Sequence, residues 1–275
     1  MSEHVGVVGL GLLGRGIVAC FLKHGFQVVA VDRSEAQLAQ VPGATSDFSQ
    51  LAGCTFVVES VTEDVGTKDE VLAAIETVVS ATTVIASNTS AIPISQLQAR
   101  RAHPARFIGM HWAEPAEITR FMELICGEQT SPETLATAEA MARRLGKDPC
   151  VVRKDIPGFI VNRIGYAMYR EALHLLDTGV ADAETIDRAV RNALGLWATV
   201  CGPFRWMDIT GGPAAYARAM TPVLPTLCNA TAPSPTMQRA RFHECSEEEA
   251  KRWEELYHRH AQRVGEMQRE YFGEP

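Results

Sequence analysis

Short runs rich in valine and isoleucine alternate with stretches of helical period through the first half of the chain. Val5–Leu10 predicts a strand, Gly14–Lys23 a helix and Val28–Asp32 a second strand. Phe56–Ser60 and Val84–Ser87 read as buried strands, with a helix near Thr67–Val79 between them. Phe107–His111 and Phe121–Cys126 continue the sheet. Ser131–Leu145 predicts a helix with Ser131 as its N-cap, Glu133 and Glu139 on its polar side and Gly146 ending it. Val151–Arg153 is a final short strand. Strands that alternate with helices predict an α/β fold built on a doubly wound parallel sheet of the Rossmann type.

The pattern changes at Asp155-Ile-Pro157-Gly158, where two chain-punctuating residues fall together. Beyond it the period is helical over Phe159–Thr178, Asp182–Leu194, Pro213–Leu227 and Ser246–Tyr271, with a turn or short helix at Pro203–Ile209 and a proline-containing loop at Asn229–Thr236. The division predicts a Rossmann-type domain, residues 1–154, and a mostly α-helical C-terminal domain, residues 155–275. In the first of these helices Ile160, Ile164, Ala167, Met168, Ala172, Leu175 and Leu176 form an apolar set, for a core or for a subunit interface.

Composition narrows the function classes. The chain has 275 residues, 46% of them hydrophobic, enough for a sizeable core. The net charge of -7 carries no long run of either sign, which argues against a nucleic-acid footprint or a polybasic membrane patch. No apolar run reaches membrane-spanning length, and no positively charged segment precedes an apolar one at the N-terminus, so no secretory signal is expected. The seven cysteines include no C-x-x-C pair; free thiols in a reducing cytoplasm are expected, with no metal site. His258 and His260, two apart, do not share a helix face.

Gly9-Leu-Gly11-Leu-Leu-Gly14 supplies the first chemistry. It is a G-x-G-x-x-G that follows one strand, opens a helix and is answered by Asp32 at the end of the next strand, 23 residues after Gly9. Gly9 permits the tight turn, Gly11 lets a pyrophosphate approach the backbone and Gly14 lets helix and strand pack closely. The free N–H groups at the helix start, from Leu12 and Leu13 onward, face the phosphates. Asp32 accepts hydrogen bonds from ribose hydroxyls and repels a 2′-phosphate, so NAD is favoured over NADP; Arg33 lies beside it.

Four later stretches add a site. They are Val57-Val-Glu-Ser-Val-Thr-Glu63 with Lys68, Ser87-Asn-Thr-Ser90, Gly109-Met-His111-Trp112-Ala-Glu114-Pro115 leading to Met122-Glu123, and Asp155-Ile-Pro-Gly-Phe-Ile-Val-Asn162-Arg163. In order and spacing this chain resembles the L-3-hydroxyacyl-CoA dehydrogenase family from Val5 to about Gly202, and the likeness fades after Thr210. The resemblance implies that His111 is the catalytic histidine, that Glu123 orients it, and that Ser90 and Asn162 bond the substrate oxygen. It places Glu63, Lys68 and Asn88 at the cofactor, with Glu63 and Lys68 near the nicotinamide ribose and the substrate entrance. It also implies a site in a cleft between the domains, a homodimer, and a 3-hydroxyacyl-CoA or 3-hydroxy acid substrate of the kind met in fatty acid metabolism. The residue types suit that reaction, since an alcohol oxidation needs a base able to work near neutral pH and a carboxylate to fix it.

The chain departs from the family pattern twice. The family usually carries His-x-x-Asn-Pro, and here the fourth position is Glu114. A carboxylate there favours a protonated His111 or a cationic substrate group, with Trp112 offering a π face. The segment Ser34–Gly53 is also short, with room for little more than one helix and one strand, where many acyl-CoA enzymes of the family carry a helical excursion. A free 3-hydroxy acid, as in the related gulonate and carnitine dehydrogenases, is therefore the expected alternative to a CoA ester. A dehydrogenase or imine reductase for a small cationic metabolite is a second reading. A dinucleotide-binding sensor without turnover is a third.

Overall fold

The computed structural model describes residues 3–239, 242–243 and 246–274; Cys245 lies outside them. It divides into two compact units. One ends at Asn162 and takes Gly273 back in, and the other is Arg163–Phe272.

In the first unit the elements run β1 His4–Val8, α1 Leu12–Lys23, β2 Gln27–Val31, α2 Glu35–Leu38, β3 Phe56–Glu59, α3 Val65–Val78, β4 Val84–Ser87, α4 Ile94–Gln98, β5 Phe107–Trp112, β6 Phe121–Ile125, α5 Pro132–Arg144 and β7 Asp148–Val152. The seven strands form one sheet in the order β2-β1-β3-β4-β5-β6-β7. Neighbours are parallel except β5 and β6. The expectation of a wholly parallel sheet is corrected at that step, because a parallel return needs a crossover of a dozen or more residues and the 113–120 connection has no room for one.

Side-chain alternation sends the two faces of the sheet into separate cores. Val5, Val7, Phe56, Val58, Ile108, Met110 and Trp112 pack with Ile17 and Phe21 of α1 and Ala138 and Met141 of α5. Val57, Ile85, Phe107 and Ile125 pack with Leu72 and Ile75 of α3, Ile94 and Leu97 of α4, and Phe159. α5 starts as expected, with Ser131 accepting from the Thr134 N–H. The residues between β2 and β3 hold only α2, a 3-10 turn at Phe48–Gly53 and an isolated bridge from Val31 to Thr45.

The second unit is helical: α6 Val161–Asp177 enters it, followed by α7 Ala183–Ala189, which runs through a π-turn at Val190–Leu194 into α8 Gly195–Ala198, then α9 Pro203–Ile209, α10 Gly212–Met220 and α11 Glu247–Phe272. Its interior is thin. Among the described residues of Arg163–Phe272 only Gly265 is buried, while Ile164, Leu196, Phe204, Ile209 and Trp253 are exposed.

Candidate active site

The glycine-rich turn closes by steric necessity. Gly9 has φ 95°, and a Cβ there would lie 2.6 Å from the Ser60 backbone. A Cβ on Gly14 would run into the Gly9 carbonyl, whereas one on Gly11 would meet nothing within 4 Å. That open approach leads to the start of α1, where no side chain caps the helix. Asp32 braces the turn: Oδ2 accepts from the Leu10 N–H at 2.7 Å and Oδ1 from the Ser34 N–H at 2.8 Å. Arg15 holds the other side, donating to the Leu10 carbonyl and to Gln37 Oε1. Leu12 is exposed and Leu13 packs on the core.

A cavity of about 350 Å³ follows, lined by Gly9, Gly11, Asp32, exposed Arg33, Ser34, Gln37, Phe48, Ser60, Val61, Thr67 and Val71. Gln37, Phe48, Thr67 and Val71 were not singled out in the sequence. They come from a short helix, a 3-10 turn and the first turns of α3, none of which carries a spacing signal. Glycine where phosphate must approach, free helix N–H groups and a carboxylate at the ribose position make this groove fit a dinucleotide. Asp32→Asn is expected to raise the Kd for NADH about 10- to 100-fold, the loss of a charge-assisted hydrogen bond, read by nicotinamide fluorescence. Equal Kd values for NADH and NADPH in the unaltered protein would count against Asp32 as the discriminating residue.

At the carboxyl ends of β3 and β4 lies a buried charge network. Glu59 accepts from Lys68 Nζ at 2.8 Å, the Ser87 hydroxyl at 2.6 Å and the Val61 N–H at 2.7 Å, and neither Glu59 nor Lys68 is exposed at all. Lys68 also reaches Glu63 at 3.5 Å. Glu63 Oε1 gathers the Thr89 hydroxyl and the N–H groups of Ser90 and Ala91. Burial pushes the Glu63 carboxyl up, but the Thr89 hydroxyl, the Lys68 ammonium and the two amides outweigh it and hold it below the ordinary value. The Lys68 ammonium, which the sequence places near the cofactor, is held beneath the surface by two carboxylates and the Val61 carbonyl. Asn88 is nearly buried and ties strands together, donating to Ser60 Oγ and accepting from the Trp112 N–H.

The antiparallel step in the sheet makes the central pair. Register sets His111 directly opposite Glu123, the separation at which cross-strand side chains touch. His111 Nδ1 lies 2.9 Å from Glu123 Oε2, both nearly buried. Glu123 Oε1 accepts from the N–H groups of Ile160 and Val161, at 2.9 and 3.0 Å. A carboxylate oxygen taken by two N–H donors leaves Oε2 to accept from histidine, so Nδ1 is the donor, and in a neutral ring Nε2 is the nitrogen with the lone pair. Phe121 and Phe159 flank the imidazole. Asn162, next in the chain, donates to the Ser90 carbonyl at 2.8 Å. Asp155 accepts from both the N–H and the hydroxyl of Ser95, and the Gly158 N–H bonds the Ala91 carbonyl, so the Asp155–Asn162 segment is stitched to the Ser90 loop. The Asn162 side chain and the Ser90 backbone are thus brought together.

Trp112 is corrected. Strand alternation turns it to the opposite face from His111, where it is 1% exposed and packs on Phe21, with Lys147 over its ring. It offers no π face to a substrate. Glu114 is half-buried at the head of the 113–120 connection.

The 3-hydroxyacyl-CoA dehydrogenase NAD-binding domain model matches residues 4–47 and 41–156, and the C-terminal domain model of the same family matches residues 158–252. The chain belongs to the 3-hydroxyacyl-CoA dehydrogenase family. Within that family it is 36% identical over 237 residues to a 5-formyl-3-hydroxy-2-methylpyridine 4-carboxylate 5-dehydrogenase of Mesorhizobium japonicum, covering 77% of each chain. It is 34% identical over 231 residues to an L-carnitine dehydrogenase of Staphylococcus epidermidis, covering 75% of this chain and 72% of the other. A crystal structure described as 5-formyl-3-hydroxy-2-methylpyridine 4-carboxylic acid 5-dehydrogenase, an NAD+ dependent dismutase, superposes over 100% of both chains, with a TM-score of 0.89 and 30% identity. Like the dehydrogenases of its family, the chain is an NAD-dependent oxidoreductase acting on CH–OH groups.

Proposed function

We propose that this enzyme transfers hydride between NAD and a small free hydroxy or oxo acid, without a CoA handle, and that His111 is its acid/base. One observation supports the histidine role: Ile160 and Val161 N–H groups fix Glu123 Oε1 while Oε2 holds Nδ1 of His111, so that Nε2 of a neutral ring is the nitrogen left to take a substrate proton. NAD bound in the groove along Gly9–Gly14 supplies the hydride acceptor. In oxidation Nε2 takes the hydroxyl proton, and Glu123 opposes the positive charge that develops on the ring. Ser90 and Asn162, fixed side by side, are the groups to hold the substrate oxygen.

The compact Ser34–Gly53 segment supports a substrate without CoA, since it builds no helical excursion. So does the end-to-end likeness to a dehydrogenase named for a pyridine carboxylate. A homodimer is part of the reading, because a helical unit with almost no buried side chain needs a second surface to cover its apolar residues. No helix among the described residues is long and apolar enough to cross a membrane. The six cysteines described are free, which supports a cytoplasmic setting.

The test is a substrate panel followed at the nicotinamide absorbance: free 3-hydroxy acids, carnitine, pyridine carboxylates bearing an alcohol or aldehyde, and 3-hydroxybutyryl-CoA. A kcat/KM for some free acid at least about 100-fold above that for the CoA ester is expected, the value of one or two lost charged contacts. Efficient turnover of the CoA ester alone would reject it.

A further inference from the structure

We infer that Phe159 is a positioning residue for the acid/base pair, acting through its backbone conformation; this rests on the reading of His111 above. Phe159 is the one non-glycine with positive φ among the described residues, at 50°. It is also 1% exposed. An L-residue with a bulky side chain avoids this left-handed region, and where it is held there the surroundings over-determine it.

The geometry shows what the strain achieves. Gly158, at φ 77°, and Phe159 turn the chain after the Phe159 N–H bonds the Ile156 carbonyl. The next two N–H groups, of Ile160 and Val161, then converge on one oxygen of Glu123. A helix start is ordinarily capped by the side chain just before it. Here the cap comes from β6, and the capping group is the partner of His111. The Phe159 ring lies 6.0 Å from the imidazole, but it is the backbone turn at Phe159 that brings the two N–H donors onto the carboxylate. If Phe159 leaves the left-handed region, Oε1 loses N–H donors, and Glu123 no longer dictates which nitrogen of His111 carries the proton.

Leucine and isoleucine separate this from core filling, because they are isomers that differ in branching at Cβ, and only the branched one is strongly excluded from positive φ. Phe159→Leu is expected to keep kcat within about threefold. Phe159→Ile should lose about tenfold or more in kcat with an unchanged KM for NAD. Ring ¹⁵N–¹H spectra, with the His111 signals assigned by their loss in His111→Ala, should show the Nδ1–H form in the unaltered protein and in Phe159→Leu, and mixed tautomers in Phe159→Ile. Should Phe159→Ile fail to fold, the comparison becomes Phe159→Gly against Phe159→Ala: glycine adopts positive φ freely and should retain more of the Nδ1–H form than alanine. Equal kcat and equal tautomer populations within the pair compared would overturn the inference. Full activity of His111→Ala would overturn the functional reading instead, while the ring spectra would still report on Phe159.

Discussion

Replacing His111 by alanine is expected to lower kcat about 10²- to 10⁴-fold while leaving the Kd for NADH unchanged, because a positioned general base is removed and the cofactor groove is untouched. Glu123→Gln is the sharper form of this experiment. The Ile160 and Val161 N–H groups already occupy Oε1, so the amide oxygen of a glutamine must take that place and its NH₂ must face Nδ1. An NH₂ there forces Nδ1 to accept, which moves the proton to Nε2 and blocks the base with its geometry intact. The same inversion of a histidine–carboxylate pair costs serine proteases about 10⁴ in kcat, and a loss of about 10³ or more is expected here. Circular dichroism and the NADH Kd establish that both variants are folded. Wild-type rates in Glu123→Gln would show that the pair is structural only.

Lys68→Met is expected to destabilise the fold by about 3–5 kcal/mol, because breaking a buried ion pair leaves its partner's charge without compensation. Lys68 and Glu59 are both wholly enclosed, and Glu59 keeps its bonds to Ser87 and Val61 when the ammonium is lost. For a domain of this size that corresponds to roughly 6–20 °C in Tm. The double variant Lys68→Met with Glu59→Gln should recover part of the loss, since it removes both charges, and a double-mutant cycle measures the coupling. Strictly additive effects would mean that the pair is not coupled. Lys68 also faces Glu63, which gathers the Ser90 and Ala91 amides, so the same substitution should blur the substrate end of the site.

The comparison with the sequence follows physical lines. The turn from Gly9 to Gly14 and the acid at Asp32 were legible because each glycine answers a local steric demand that any reader of the chain can state. His111, Glu123, Ser90 and Asn162 were named through family register, and the structure joins them in two hydrogen-bonded pairs, His111–Glu123 and Asn162–Ser90. The face of Trp112 and the burial of Lys68 were missed for one reason: sequence spacing shows neither burial nor which face of a strand a residue takes until a neighbour's register is known. The reversal of β6 was missed because an apolar run carries no direction. Glu59 passed unnoticed as one more residue of a strand, although its buried carboxylate organises three elements.

The pairing of His111 with Glu123 is made by the strand ladder and owes nothing to the loop between them. That loop, residues 113–120, carries Glu114 at one end and is tethered near the other by the buried Lys147 ammonium, which bonds the Ala116 and Thr119 carbonyls. Pair and loop can therefore diverge independently. A lineage, or a protein engineer, can graft new residues between the two strands to suit a differently shaped ligand and still inherit the histidine–carboxylate pair.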